Sequence, residues 1–193
     1  MHLQDEKAAL RTAIDERMKR MTDAERSAES RSLSRRLTEA IPAGTAICAF
    51  YPMRSEADIT PFLEEVLRRG DPLYLPCFDS ALIFRQTTDL KALVRGKLGT
   101  LEPPEAAPEL TAPYSPLTML IPGRAFDAHG NRLGRGNGGY DQWLNAEKDR
   151  RTSMRLIGVS LECQIVDKVP VESHDVRMDA VATARGISER MEN

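Results

Sequence analysis

Between Leu120 and Leu144 the chain reads LIPGRAFDAHGNRLGRGNGGYDQWL, an apolar run and then, ahead of a helix-like segment, four clustered glycines with Arg132, Arg135 and Asp141. Placed between a strand and a helix, such a stretch is built to hold an anion. Gly134, Gly136, Gly138 and Gly139 lack the β-carbon that keeps other residues from positive φ, so their N–H groups are free to converge on phosphate oxygens. The positive end of the following helix adds to the attraction. Arg132 and Arg135 supply planar forks that match phosphate geometry, and Asp141 is an oxygen ligand suited to Mg²⁺. A glycine-rich surface turn with solvated arginines is the competing reading.

Two familiar templates do not fit. A P-loop ends in Gly-Lys followed by Ser or Thr, which this segment lacks. Gly134, Gly136 and Gly139 spell G-x-G-x-x-G, and Glu162 falls roughly where a ribose-binding acid would stand. In a dinucleotide fold, however, the first glycine directly follows the first strand, whereas the apolar run Leu117 to Ile121 ends well before Gly134.

The 193 residues suffice for one substantial core, and a single domain spanning 1–193 is expected. Apolar content of 41% and charged content of 29% are those of an ordinary globular protein, and no apolar run approaches the roughly 20 residues that span a bilayer. The first 21 residues lack the apolar core of a secretory signal, so a cytoplasmic location is the expectation. Cys48, Cys77 and Cys163 are odd in number and widely spaced, which predicts reduced, buried thiols rather than a disulfide or zinc framework. A net charge of −2 argues against general nucleic-acid binding, and the arginines between Arg17 and Arg36 alternate with acids as on a solvated helix face.

Leu10, Ile14 and Met18 recur at helical spacing within a helix over about 4–21, and Thr22 or Asp23 caps a second helix to about Ala40. TAICAFYP reads as a buried strand, and ITPFLEEVLRRG as a helix with Pro61 near its start and Gly70 after its end. PLYLPCF, LTMLIPG, RLIGVSL and MDAVAT read as further strands and Leu82 to Phe84 as a short one. A helix is expected over about 139–151 and a loop over 98–116. The alternation predicts an α/β fold with an open, mainly parallel sheet and helices on both faces. Ligands then sit beyond the carboxyl ends of the strands, at Tyr51 to Asp58, Cys77 to Ser80, Pro122 to Tyr140 and Glu162 to Asp167.

Taken together, these segments resemble the 5-formyltetrahydrofolate cyclo-ligase (methenyltetrahydrofolate synthetase) family. PGRAFDAHGNRLGRGNGGYDQWL is similar to that family's P-G-x-A-F-D-x-x-G-x-R-L-G-x-G-x-G-Y-Y-D motif. Weaker matches lie in order around it, at Lys7 with Leu10 and Arg11, FYPMRSEADI at 50–59, LEP at 101–103 and VPVESHDVRMDAVAT at 169–183. The resemblance implies a Rossmann-like fold (NagB/RpiA/CoA-transferase-like) with N-terminal helices. It also implies ATP- and Mg²⁺-dependent cyclisation of 5-formyltetrahydrofolate to 5,10-methenyltetrahydrofolate, releasing ADP and phosphate. In that chemistry the formyl oxygen attacks the γ-phosphate, N10 closes the ring and phosphate leaves, with no protein nucleophile. Reduced folate and ATP are the implied partners, with no nucleic acid or membrane and a monomeric chain.

Carried onto this sequence, the resemblance gives Lys7, Arg11, Gly134, Arg135, Gly136, Asn137 and Gly138 to ATP, with Arg135 also the catalytic stabiliser of the transferring phosphoryl group. Asp141 is the implied Mg²⁺ ligand. Glu56 is expected to bond the pterin's amide and amino edge, Tyr140 to stack on the folate, and Phe50, Met53 and Phe84 to supply apolar wall. His174 and Asp175 are expected to stabilise their loop. Gly139 stands where the family commonly has a tyrosine, Gln142 where arginine is common, and Asn137 where lysine or glycine is frequent. Two alternatives accompany the main reading. One is a family-like ATP-dependent enzyme acting on another formylated or pterin-like compound, and the other is a non-catalytic folate or nucleotide binder.

Overall fold

The computed structural model describes residues 2–97, 99–111 and 116–192. Two helices open the chain, α1 (Leu3–Arg20) and α2 (Asp23–Ala40). Thr22 separates them through a reciprocal cap: its hydroxyl accepts the Glu25 N–H at 3.2 Å, and its own N–H donates to Glu25 Oε2 at 2.8 Å. Then follow β1 (Ala46–Cys48), α3 (Thr60–Arg69), β2 (Leu73–Phe78), β3 (Leu82–Gln86), β4 (Val94–Arg95), β5 (Leu101–Glu102), β6 (Leu117–Pro122), β7 (Ala125–Phe126), β8 (Arg132–Leu133), α4 (Gly139–Ala146), β9 (Met154–Val159), β10 (Ala180–Thr183) and β11 (Gly186–Glu189).

Seven strands form one sheet in the order β11-β10-β9-β6-β1-β2-β3. The inner five run parallel, and β3 and β11 close the two edges as antiparallel neighbours. Alternate residues feed opposite faces. Ile47, Leu73, Leu75, Leu120 and Ile157 pack with Ile14, Leu33, Leu37 and Phe62 of α1, α2 and α3. Cys48, Tyr74, Met119, Ile121 and Leu156 pack on the other side with Tyr140 and Leu144 of α4. Covering both faces is what makes the central strands read as unbroken apolar runs.

The expected α/β architecture is therefore present, with helices on both faces, while its boundaries and edges differ from the sequence reading. Strand pairing in TAICAFYP is confined to Ala46–Cys48, because the chain turns away at Pro52 to build a pocket rim. The helix expected to reach 151 stops at Ala146 and gives way to a 3-10 turn, Lys148–Ser153. Within the expected loop at 98–116, Leu101–Glu102 pairs with Val94–Arg95, and 98 and 112–115 lie outside the described residues. The last expected strand starts at Ala180 and is followed by β11, a four-residue strand whose one apolar residue, Ile187, carries little signal. Cys48 and Cys77 are buried and free as expected, whereas Cys163 is half-buried.

β1 and β6 lie side by side, yet the chain leaves β1 toward β2 on one side and returns to β6 on the other. The connections beyond their carboxyl ends thus run apart and leave a crevice at the switch point. Beyond β6, β7 and β8 form a hairpin whose turn is knotted by the buried Asp127. Its carboxylate accepts the N–H groups of His129, Asn131 and Val169 and the side-chain amide of Asn131, at 2.9 to 3.1 Å. That hairpin sets where the glycine loop begins.

Candidate active site

The crevice holds a cavity of about 180 Å³. The rim after β1 contributes Phe50, Tyr51, Met53 and Glu56, and the end of β2 contributes Pro76 and Phe78. Arg132, Arg135, Asn137 and Tyr140 come from the hairpin, the glycine loop and α4. Thr100 and Leu101 close one side.

Glu56 is held by a local turn: its N–H donates to Met53 O at 2.8 Å, and its Oε2 accepts the Met53 N–H at 2.9 Å. Burial pushes its carboxyl above the ordinary range, while the Met53 N–H and the Arg135 guanidinium pull the other way. Arg135 reaches across the cavity mouth from the glycine loop, donating through Nη2 to Ser55 Oγ at 2.8 Å and to Glu56 Oε1 at 3.2 Å. Glu56 and Arg135 thus come from opposite sides of the switch point and meet over the cavity.

Within the loop, Gly136 and Gly138 take φ of 105° and 66°, a region that penalises any side chain, and Gly138 is the residue from which α4 starts. Arg11 of α1 donates through Nε to Gly134 O at 2.9 Å and so clamps the loop to the N-terminal helix. Lys7, one turn earlier, does not face the cavity. Its ammonium sits between Glu172 Oε2 at 2.8 Å and Asp175 Oδ2 at 2.7 Å. Burial lowers the Lys7 pKa, but the hydrogen bonds and charges of those two acids outweigh it and the net shift is upward.

Asp141 leaves α4 toward Arg132, whose Nη2 meets Oδ2 at 2.6 Å, while Oδ1 accepts the Val176 N–H at 3.2 Å. Arg132 lies 5.7 Å from the centre of the Tyr140 ring, within cation–π range. Two buried polar atoms in this wall, Arg132 Nε and Tyr140 Oη, have no hydrogen-bond partner among the described residues. Orphaned donors in a cavity wall mark places that a ligand's acceptors can satisfy. Each carboxylate oxygen of Asp141 keeps a further lone pair, and Mg²⁺ habitually takes one or two protein carboxylates together with phosphates and water. Asp141 can therefore offer such an ion one carboxylate, shared with Arg132. Glu172, His174 and Asp175 also lie close enough together to share a cation, but the Lys7 ammonium already occupies two of the three.

Phe50, Met53, Glu56, Arg135, Asn137 and Tyr140, singled out from sequence, thus line one cavity. Arg11 is bonded to the glycine loop at Gly134, Asp141 stands behind Arg132, and Lys7 is turned to the C-terminal segment. Phe84 is no part of the wall and packs edge-on against Trp143, with ring centres 5.0 Å apart. Arg132, read from sequence as a phosphate fork, is instead paired with Asp141 in the cavity wall, and Phe78 is a wall residue to which the sequence assigned no role. Phe78 falls in the strand-end segment Cys77 to Ser80, so the carboxyl-end rule carried its signal. A β-carbon on Gly139 would stand 3.2 Å from Phe78 Cε1, so Phe78 fills the space beside the glycine.

The fold and cavity define an α/β protein with a small-molecule pocket at a sheet switch point, rimmed by a glycine-arginine loop. The chain belongs to the 5-formyltetrahydrofolate cyclo-ligase family, whose model matches residues 3–184. It is 34% identical over 142 residues to the 5-formyltetrahydrofolate cyclo-ligase of Escherichia coli K12, covering 71% of this chain and 76% of that protein. The Mycolicibacterium smegmatis cyclo-ligase is 31% identical over 192 residues, covering 94% and 95%. The fold matches the solution structure of 5,10-methenyltetrahydrofolate synthetase from Aquifex aeolicus with a TM-score of 0.80, at 24% identity and over 97% of this chain and 94% of that one.

Proposed function

We propose that this protein cyclises 5-formyltetrahydrofolate to 5,10-methenyltetrahydrofolate with ATP. The observation that carries the reading is the pairing of a buried carboxylate, Glu56, with a loop guanidinium, Arg135, over one partly aromatic cavity at the switch point. Phe50, Met53, Phe78 and Tyr140 give flat and apolar walls for a pterin, and Glu56 offers a two-oxygen acceptor for its amide and amino edge. The loop amides at 134–138, with Arg135 in the cavity wall and Arg11 bonded to the loop at Gly134, would serve a triphosphate.

In the reaction the formyl oxygen attacks the γ-phosphorus and ADP departs. N10 then adds to the activated carbon and loses its proton, and the oxygen leaves with phosphate. Alignment of two substrates and cancellation of phosphoryl charge are the tasks left to the protein. Arg135 is the side chain placed to exchange a carboxylate for the transferring group. Asp141 would hold Mg²⁺, which when bound spreads the negative charge of the phosphates. Arg132, hydrogen-bonded to Asp141, would hold that carboxylate in position.

The test is absorbance of methenyltetrahydrofolate on mixing protein, 5-formyltetrahydrofolate, ATP and Mg²⁺, with each omitted in turn. Product that requires all of them is expected, and Arg135→Ala should lower turnover by at least about 100-fold with a smaller effect on folate affinity. Absence of product with both ligands bound would overturn the assignment.

A further inference from the structure

The residue after the pocket-lining Gly123 is Arg124, to which no role has so far been attached. Its backbone is fixed on both sides: the N–H donates to Leu133 O at 2.6 Å, and the carbonyl accepts Gln164 Nε2 at 3.2 Å. Leu133 directly precedes the glycine loop, so Arg124 stands beside the loop's first residue. Its side chain is only 12% exposed and forms an ion pair with Asp15 of α1. Asp15 lies one helical turn beyond Arg11, whose Nε holds Gly134 O at 2.9 Å. Arg11, Arg124 and Arg135 are therefore gathered around residues 133–136.

Burial lowers the Arg124 pKa, and the nearby charges of Arg135 and Arg11 lower it further. Three guanidiniums here face two carboxylates, Asp15 on Arg124 and Glu56 on Arg135. A concentration of like charge around a glycine loop is poorly compensated without an anion.

We propose that Arg124 is a phosphate-binding residue, a third guanidinium of the loop's polyanion site that rests on Asp15 when no triphosphate is bound. The inference rests on the assignment of the glycine loop to ATP. In the competing picture the Arg124–Asp15 pair only fastens α1 to the hairpin.

The two pictures differ in sign. If the pair only fastens the helix, removing either partner breaks the same contact, and both changes act alike. If Arg124 serves the anion, Arg124→Met removes a ligand while Asp15→Asn releases one. Binding of inorganic tripolyphosphate to the full-length protein, followed by calorimetry, reads the difference. The expected result is about tenfold weaker binding in Arg124→Met, the scale of one charge-assisted hydrogen bond, and about threefold tighter binding in Asp15→Asn. Deleting any acid near a polyanion helps binding slightly, so the gain must also vanish when Asp15→Asn is made in the Arg124→Met background. Weakening in both single variants, no change in either, or a gain that persists in the double variant would overturn the proposal. A wild-type protein that binds no tripolyphosphate would overturn it together with the ATP assignment. Wild-type binding with the wrong pattern among the variants would overturn this inference alone.

Discussion

Glu56 shows what a binding site demands of a single residue. A carboxylate with 8% exposure is costly to bury, and its remaining partners are one backbone N–H and a guanidinium reaching in from a loop. Its pKa is raised by burial above an ordinary value near 4.5, so the folded protein holds the proton more tightly than the unfolded chain does. The stability this contributes is present below the ordinary value and is lost as pH rises through the raised one. Glu56→Gln keeps the shape and removes the titration. Its melting temperature should exceed that of the wild type at pH 8, with the gap narrowing as the pH falls toward 4.5, while folate affinity drops. Thermal melts across that range check the prediction, and a gap that is constant with pH would contradict it. Glu56 was legible in the sequence through the family motif around it. Its partnership with Arg135 was not, because 79 residues separate the two and only the sheet's strand order brings them together.

At the scale of elements, the glycine loop, the hairpin and the end of β2 form one wall. The loop and the start of α4 were readable because glycines, arginines and a helix pattern follow one another in sequence. The hairpin was not, since β7 and β8 have two residues each, too few for any alternation to show. Nor did the sequence show how the chain manages with Gly139 where the family commonly has a tyrosine. The structure puts Phe78 of β2 against that glycine, so an aromatic face is supplied from a different element. It follows that restoring the tyrosine alone should do harm. Gly139→Tyr should raise the folate KM several-fold by colliding with Phe78, and Phe78→Ala should raise it through loss of an aromatic contact worth about 1 kcal/mol. The double variant, with room made for the new ring, should recover most of the loss. Steady-state kinetics of the three proteins decide the matter, since strictly additive losses would mean that the two positions do not share one space.

Across the whole molecule, the sheet's change of direction between β1 and β6 decides which chemistry meets which. Strand periodicity predicted a parallel α/β sheet, but the order of the strands depends on which apolar faces pack together, a property of the folded chain. In that order, the rim after β1 carries the acid assigned to folate, and the loop beyond β6 carries the arginine assigned to phosphate. Without ligands the two groups satisfy each other at 3.2 Å. On those assignments, each substrate competes with this contact for its own partner. Once nucleotide draws Arg135 away, Glu56 Oε1 is left as a buried acceptor with a vacant lone pair, which the pterin's amino edge can fill. The folate, in turn, frees the guanidinium. The cost of separating the pair is met by whichever ligand binds first, so the second should bind more tightly. Folate affinity measured by fluorescence titration should rise about fivefold in saturating non-hydrolysable ATP analogue, a coupling near 1 kcal/mol, and by linkage the analogue's affinity should rise by the same factor with folate. In Arg135→Met the pair is already broken, so folate should bind that variant equally well with and without the analogue. Equal affinities in the wild-type protein would show that the contact at the switch point does not connect the two sites.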